Sequence, residues 1–268
     1  MAGSGGDAAI IYTSDAGSKW SSASIPSGMS FIGSLSCVGV SCYAVGVQFP
    51  GAATPPSSVV LASSDSGVDW KSQSMPSSAP PMILQGIDCS STTYCVSVGY
   101  SIGSLSLVPV VIVTTDGGQI WSEGSVSSSV PINAVGCASS SECFIGGCGI
   151  IMESADGGSS WHINYFISSG SLSAISCSDA SDCVIAGYKV VLSSTDSGVQ
   201  WEAPSLPAGV GSLPSVSCVS SSCVVAGTQL AGTPMSLYSS DGGLAWSQDL
   251  LSATAGTLSA VSWVSIIA

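Results

Sequence analysis

Aspartates flanked by hydroxyl residues are the groups in this chain best suited to chemistry. Each lies two residues after a Ser or Thr and two residues before a Gly, and such paired oxygens could bind a metal ion or move a proton. Six copies at fixed distances from their neighbours instead favour a structural role, because Asp side chains readily accept hydrogen bonds from turn amides. The six residues are Asp15, Asp65, Asp116, Asp156, Asp196 and Asp241.

The stretches around these acids all follow the pattern (S/T)-x-D-x-G-x-x-W. We expect the Gly to adopt a positive φ and the Trp to fill the space between neighbouring sheets. The stretches span residues 13–20, 63–70, 114–121, 154–161, 194–201 and 239–246 and end at Trp20, Trp70, Trp121, Trp161, Trp201 and Trp246.

The remaining titratable residues form no convincing catalytic group. A glycosidase could use two facing carboxylates, but Glu142 lies at a predicted cysteine turn. His162, the one histidine, follows a Trp on a predicted outer strand. No phosphate loop, haem motif or metal-ligand cluster is found, so we predict no catalytic residue, no metal site and no cofactor. The other acids are Asp7, Asp69, Asp88, Glu123, Glu142, Glu153, Asp179, Asp182, Glu202 and Asp249.

Ten of the eleven cysteines form close pairs with four or five residues between partners. A β-hairpin brings such positions within disulfide range, whereas zinc sites usually combine C-x2-C spacing with histidine. We therefore favour disulfides over metal or free thiols, and disulfides indicate export. The pairs are Cys37 with Cys42, Cys89 with Cys95, Cys137 with Cys143, Cys177 with Cys183 and Cys218 with Cys223.

Cys148 is left over as a free thiol. Its position after Gly147, at the end of an apolar run, favours a small buried residue. An intermolecular disulfide or a reactive thiol is the alternative.

These motifs alternate along the chain and predict a repeat of four short strands, A to D. Strands A and B flank the cysteine turn, strand C enters the D-x-G turn and strand D begins near the Trp. Successive Asp residues of the motif are 40 to 51 residues apart, and passing from Asp241 through the C-terminus to Asp15 adds 42. Four-stranded repeats of this period are typical of β-propellers.

We therefore predict an all-β protein, a single domain over residues 1–268, built as a six-bladed β-propeller of four-stranded antiparallel blades. The last blade would be closed by both termini. The N-terminal segment supplies its strands C and D, and the C-terminal "LSAVSWVSIIA" supplies strands A and B, with Trp263 in place of the first cysteine.

The (S/T)-x-D-x-G-x-x-W motif resembles the Asp-box (bacterial neuraminidase) repeat over nearly the whole chain. The resemblance implies a β-propeller but no single activity, because the family includes sialidases, other glycoside hydrolases, sortilin-type receptors and photosystem II assembly-factor-like proteins. A sialidase needs an arginine cluster for the substrate carboxylate. This chain has no arginine, which removes the sialidase alternative and weakens the assembly-factor alternative.

The charge balance excludes several partners. The chain has 3 basic and 16 acidic residues, with a net charge of −13. Nucleic acids and anionic lipids both require basic residues, so we expect neither partner. No apolar run approaches 18 residues, so we predict no membrane insertion. Because few positive charges would remain at low pH, an acidic external habitat is a further hypothesis.

The loops opposite the cysteine and Asp turns are the predicted binding surface. Variable loops on a rigid scaffold usually carry function. We predict an exported, non-enzymatic binding or scaffold protein, extracellular or at the cell surface, that recognises a protein or glycan. A glycoside hydrolase or lyase using loop carboxylates is the alternative, and the oligomeric state is open. The candidate binding residues are Phe49, Tyr100, Met29, Phe31, Met82, Tyr165 and Phe166.

Overall fold

The computed structural model describes residues 8–15, 18–49, 56–76, 81–102 and 107–249. These ranges contain β-strands and no helix, and therefore no helix that could cross a membrane. The predicted all-β class is confirmed. The chain divides into two compact units, residues 1–131 and residues 132–268, and each is described by itself.

Unit 1 contains three antiparallel sheets with neighbouring strands in chain order. Within this unit the first sheet comprises two strands and each of the other two comprises four. The strands are β1 (Ile11–Tyr12) and β2 (Ser21–Ser22); β3 (Met29–Val38), β4 (Ser41–Gln48), β5 (Ser57–Ser63) and β6 (Lys71–Ser72); and β7 (Met82–Cys89), β8 (Cys95–Ser101), β9 (Pro109–Thr114) and β10 (Ser122–Val126).

Unit 2 pairs its strands in chain order as well, from β11 to β15 and from β16 to β19. The strands are β11 (Ile132–Cys137), β12 (Cys143–Ser154), β13 (Ser160–Cys177), β14 (Cys183–Gly187) and β15 (Val190–Ser194); and β16 (Ser215–Val219), β17 (Ser222–Thr228), β18 (Pro234–Ser239) and β19 (Ser247–Asp249).

Two strands of unit 2 are longer than the repeat predicts. Strand β12 covers positions that form two separate strands, β14 and β15, in the next repeat. Strand β13 joins the predicted strand D of one repeat to the predicted strand A of the next. The predicted loops inside β12 and β13 are short, and Gly149 and Gly170 there have positive φ. The extended backbone therefore continues through both predicted loops.

The cores lie between successive sheets within each unit. In unit 1, Tyr43 and Val45 of β4 pack with Leu84 and Ile87 of β7 and with Trp121. The strand sequences are nearly continuous apolar runs because both faces of the inner strands are covered. An equivalent cluster in unit 2 joins β14 to β16, β17 and the tryptophan of the last repeat.

In four repeats the glycine near the end of strand B is required by a close approach of the backbone. A Cβ at Gly187 would overlap the carbonyl oxygen of Ser171, and one at Gly227 would overlap that of Ser212. The pairing of β13 with β14 is irregular beside Gly187, and the irregularity brings the partner carbonyl inward.

The cysteine turn and the Asp turn of each complete repeat are joined by one backbone hydrogen bond. The residue after the Asp donates its N–H to a carbonyl in the cysteine turn, at 2.8 to 3.0 Å. This bond places both turns at the same edge of each sheet, as the meander predicted. The donor–acceptor pairs are Ser66–Val40, Gly117–Thr93, Gly157–Ser141, Ser197–Ser181 and Gly242–Ser221.

Candidate binding surface and its supporting turns

Each Asp box is a local hydrogen-bond network centred on its acid. In the second box, the Ser63 hydroxyl donates to Asp65 Oδ1 at 2.6 Å and accepts from Gly67 N at 3.0 Å. Asp65 Oδ1 also accepts from the amides of Val68 and Asp69 at 3.1 and 3.0 Å. The carboxylate oxygens are therefore engaged in holding the turn.

These hydrogen bonds keep the acids ionised. Hydrogen bonds from Ser160, through both its side chain and its amide, lower the pKa of Asp156 to about 2. The Lys19 amide and the Thr13 hydroxyl lower the pKa of Asp15 in the same way, and similar hydrogen bonds lower the pKa of Asp65, Asp116 and Asp241. A carboxylate stabilised in its ionised form is a poor proton donor, which favours the structural interpretation.

The box tryptophans are buried with one exception. Trp70, Trp161 and Trp246 donate Nε1–H to the carbonyl of the glycine three residues earlier, at 2.8 to 3.1 Å. Trp201 donates instead to Asn164 Oδ1 at 2.7 Å. Trp20 is largely exposed.

All five predicted disulfides are formed, with paired Cα atoms 4.0 to 4.1 Å apart. Each joins directly opposite residues of strands A and B, beside the turn that connects them. The bonds join Cys37 to Cys42, Cys89 to Cys95, Cys137 to Cys143, Cys177 to Cys183 and Cys218 to Cys223.

The second cysteine of every pair is almost fully buried, because strand B is covered on both faces. Cys42 in β4 is 3% exposed and packs in an apolar cluster with Leu61 and Trp70. Cys223 in β17 is 1% exposed and packs with Leu237 and Trp246. These cysteines present no surface to a ligand, and their role is confined to the hairpin and its core. Cys95, Cys143 and Cys183 are buried in the same way.

Cys148 is a free thiol, as predicted, but the expectation that it is buried is wrong. It is exposed in β12 opposite Ser171, whose hydroxyl lies 3.9 Å from the sulfur. The positive φ of Gly149 turns the chain immediately after it.

Two of the seven candidate binding residues present no surface to a ligand. Met29 and Met82 are the first residues of β3 and β7, and both are almost fully buried. Both thioethers join apolar clusters instead. The assignment of the whole set to loops is also wrong, because only Phe49 lies outside a strand; extended pairing continues further than the Pro, Ser and Gly content suggested.

Phe31 and Phe49 lie at the same end of the β3–β4 hairpin, and more than half of each side chain is exposed. Phe31 faces Val47 in the strand register, and Phe49 follows the last residue of β4. The Phe49 amide donates to Ser30 Oγ at 3.2 Å, which ties it to β3. We call these two residues the phenylalanine pair.

A second exposed apolar segment lies in unit 2. Tyr165 and Phe166 pair with Ile151 and Ile150 in the β12–β13 register, and Phe166 is 70% exposed. Ile163, also exposed, precedes them across a bulge in this pairing. Tyr100, the remaining candidate, is partly buried in β8.

Glu142 and Glu153 form an acidic group beside the fourth box that the sequence did not predict. Glu153 Oε2 accepts from Asn164 Nδ2 at 2.6 Å and lies 3.7 Å from His162 Nε2. Burial, and next the charge of Glu153, raise the pKa of Glu142. Glu142 Oε1 is buried without a hydrogen-bond partner in the described part of the chain. Pairing residues symmetrically about the box turn would have placed Glu153 opposite His162.

Other chemistry is sparse in the described residues. No group of three or more His, Cys, Asp or Glu side chains is placed to hold a metal ion there. A surface depression of about 470 Å³ in unit 1 is lined by Met75, Ile120 and Trp121 among mostly neutral residues, with Glu123 as its one acid. This depression therefore lacks the paired carboxylates that a glycosidase requires.

Comparison with solved structures shows that the fold is that of β-propeller proteins. A structure of YCF48 bound to D1 peptide is 20% identical, with a TM-score of 0.61, over 91% of this chain and 76% of that chain. The GH74 enzyme of Niastella koreensis is 17% identical, with a TM-score of 0.61, over 82% of this chain and 38% of that chain.

The GH74 xyloglucanase of Xanthomonas campestris is 13% identical, with a TM-score of 0.61, over 83% of this chain and 39% of that chain. This chain therefore spans about two-fifths of the length of the GH74 enzymes. No protein-family model and no curated protein sequence matches it.

Proposed function

We propose that this protein is an exported, non-enzymatic binding module that recognises a protein or glycan through exposed aromatic side chains. The observation that carries the proposal is the exposure of the phenylalanine pair at one end of a packed hairpin. Aromatic side chains contribute large contact areas at low entropic cost, and they are enriched at the centres of interfaces. Phe31 lies in β3 and the Phe49 amide is hydrogen-bonded to Ser30 of the same strand, so little ordering would accompany binding.

The proposed scaffold is one Asp-box propeller domain over residues 1–268, with six blades and the last closed by both termini. Six copies of the box and five disulfide-linked hairpins support this arrangement. The five disulfides also indicate an oxidising environment, which supports export to the cell surface or the surrounding medium.

A protein ligand is the form of this proposal that we favour. A similar propeller, YCF48, has been solved with a D1 peptide bound, and a net charge of −13 would attract a neutral or basic segment more than an acidic one. A glycan remains the second class of ligand, because sugars also stack on exposed aromatic rings.

Binding by variants of the full chain tests this proposal. Immobilised protein would be screened against a glycan array and a set of peptides of graded charge, at pH 3 and pH 7. We expect Phe31→Ala with Phe49→Ala to weaken binding at least about tenfold. Leu230→Ala, an exposed aliphatic change in unit 2, is the control. Equal binding by the double variant and the wild type would refute the assigned surface.

A glycoside hydrolase or lyase is the second candidate, favoured by Glu142 and Glu153. A carboxyl group with a raised pKa beside a second carboxylate is the usual arrangement of a general acid and its partner. Mass spectrometry of xyloglucan oligosaccharides incubated with wild type and Glu142→Gln would test it. Cleavage that the substitution abolishes would establish this candidate, and intact sugars in both samples would exclude it for this substrate.

A further inference from the structure

Exposed apolar side chains in unit 1 continue beyond the phenylalanine pair. Leu107 and Val108 immediately precede β9 and are 47% and 46% exposed. The Val108 carbonyl accepts from the Ser101 amide at 2.8 Å, which ties this segment to the end of β8. Both residues therefore stand at the end of their sheet opposite the cysteine and Asp turns, as the phenylalanine pair does in the preceding sheet.

The Ser58 hydroxyl connects these two sheets at the same end. Its oxygen donates to the Met82 carbonyl and accepts from the Leu84 amide, both at 2.8 Å, and Met82 pairs with Ser101. The two sheets are therefore joined side by side where the four apolar side chains are exposed. We call these four residues the apolar edge, and they are Phe31, Phe49, Leu107 and Val108.

The charged residues of unit 1 lie at the other end of its sheets. Each one that the structure describes lies in an Asp box, or within two residues of a box or of a paired cysteine. Residues 21–64, 72–87 and 89–115 contain no charged residue at all. The charged residues are Asp15, Lys19, Asp65, Asp69, Lys71, Asp88, Asp116 and Glu123.

The two ends are far enough apart for salt to screen these charges. Gln48 pairs with Ser57 at one end of the second repeat, and Cys42 pairs with Ser63 at the other, six residues along each strand. At about 3.3 Å per residue this separation is about 20 Å, whereas the Debye length is about 8 Å at physiological ionic strength. The acids therefore have little influence at the apolar edge, although the whole chain carries a net charge of −13.

Polar side chains beside the apolar edge are engaged with the protein's own backbone. Ser30 Oγ accepts from the Phe49 amide at 3.2 Å, and Gln48 Nε2 donates to a backbone carbonyl at 3.5 Å. The Ser58 hydroxyl is engaged in the same way. Few hydrogen-bonding groups are left for sugar hydroxyls, and the two aliphatic members of the edge have no ring on which a sugar could stack. The edge therefore suits an apolar peptide better than a glycan.

We infer that the apolar edge binds an uncharged, apolar peptide segment of a partner protein. The inference rests on the binding function proposed above and narrows its ligand. Burial of apolar surface depends on the area removed from water, so binding of this kind is nearly independent of salt. A charged residue placed against the edge would lose water without gaining an opposite charge, so basic and acidic segments are both disfavoured.

Matched synthetic peptides and the wild-type full chain test the class of ligand. Acetylated and amidated peptides of equal length would share the same Leu, Val and Phe residues and carry Ser, Lys or Glu at the intervening positions. In calorimetric titrations we expect the Ser peptide to bind at least about tenfold more tightly than either charged peptide. Its affinity should change less than about twofold between about 0.05 and about 0.5 M NaCl.

Three results in wild type would overturn the inference. The first is tighter binding of the Lys peptide that weakens as salt is added. The second is binding of a xyloglucan oligosaccharide without binding of any peptide. The third is no binding of the Ser peptide.

Two exposed valines at opposite ends of the sheets provide matched variants. Val108 belongs to the apolar edge, whereas Val40 lies in a cysteine turn and is 58% exposed. We expect Val108→Asp to weaken binding of the Ser peptide at least about tenfold and Val40→Asp to change it less than about twofold. Thermal unfolding of both variants checks that each is folded. Equal affinities of the two variants would overturn the inference.

Failure of this inference is distinguishable from failure of the proposed function. The double change of Phe31→Ala and Phe49→Ala tests the assigned surface with whichever probe binds, whereas the salt dependence and Val108→Asp test the class of ligand. Binding of the Lys peptide or the oligosaccharide that the phenylalanine changes weaken would refute only the inference. Binding of the Ser peptide that Val108→Asp weakens and the phenylalanine changes do not would refute only the role of the phenylalanine pair.

Discussion

Removal of one buried hydroxyl from an Asp box should destabilise the protein measurably. Ser154 is fully buried, and its Oγ accepts from Gly158 N at 2.8 Å while donating to Asp156 Oδ1 at 2.8 Å. The substitution Ser154→Ala removes both bonds, together with a longer one from the Asp156 amide at 3.4 Å, and changes the volume of the turn little. The methyl group cannot accept a hydrogen bond, so the Gly158 N–H would remain buried without its acceptor.

The unsatisfied Gly158 amide determines the expected magnitude. A buried donor deprived of its partner costs about 1–3 kcal/mol, so we expect Ser154→Ala to lower the free energy of unfolding by about 2 kcal/mol. Ser159→Ala is the control within the same box. Ser159 is exposed and donates to the Asp156 carbonyl at 3.0 Å, so water can replace that bond and the expected change is below about 0.5 kcal/mol.

Urea unfolding at pH 7, followed by tryptophan fluorescence, would measure both variants against wild type. Trp161 lies in the same box and is buried, so it reports on the local structure. A loss of less than about 0.5 kcal/mol for Ser154→Ala, or equal losses for the two variants, would refute the assignment of the box hydroxyl to turn stability.

Three further changes have expected outcomes. Ser66 has a φ of 63°, so Ser66→Gly should raise the free energy of unfolding, measured in urea, by about 0.5 kcal/mol. Ser197→Gly should raise it less, because the Ser197 hydroxyl donates to a carbonyl at 2.9 Å and that bond would be lost. A larger gain for Ser197→Gly than for Ser66→Gly would contradict this reasoning. Gly187→Ala should lower stability by about 2–3 kcal/mol in thermal unfolding, because its Cβ would overlap the Ser171 carbonyl oxygen, and an unchanged melting temperature would contradict the close approach. The pKa of Asp156 is lowered from 3.8 to about 2, so its contribution to stability is present above pH 3.8 and is lost as the pH falls through 2. The free energy of unfolding measured from pH 7 to pH 2 should therefore decline, and the decline should be smaller in Asp156→Asn. An equal decline in wild type and variant would contradict this contribution.

The turns were predictable from sequence because each is a local structure. The hydrogen bonds around Asp65 span two to four residues, and the disulfide partners are five or six residues apart. A short motif therefore contains nearly all of the groups that determine the turn. The bond from Ser66 to Val40 was not predicted, because it joins turns 26 residues apart that only strand pairing brings together.

The binding surface was less predictable because exposure depends on packing between strands. Met29 and Phe31 are two residues apart in β3, yet one is buried and the other exposed. The β3–β4 register shifts between them, and no residue of the sequence marks that irregularity. The proximity of Glu142 and Glu153 was missed for the same reason.

The sequence by itself determined the repeat, the all-β class, the paired cysteines and the exclusion of arginine-dependent chemistry, because these properties depend on residue types and short spacings. Only the tertiary structure decided which apolar side chains are buried, since a side chain's exposure depends on strands distant in the chain. Ile11 and Leu61 occupy the same place in the motif, but neighbouring strands cover Leu61 and leave Ile11 exposed. The exposure of Ile11 is therefore a property of the packing between strands, although Ile11 belongs to a motif visible in the sequence.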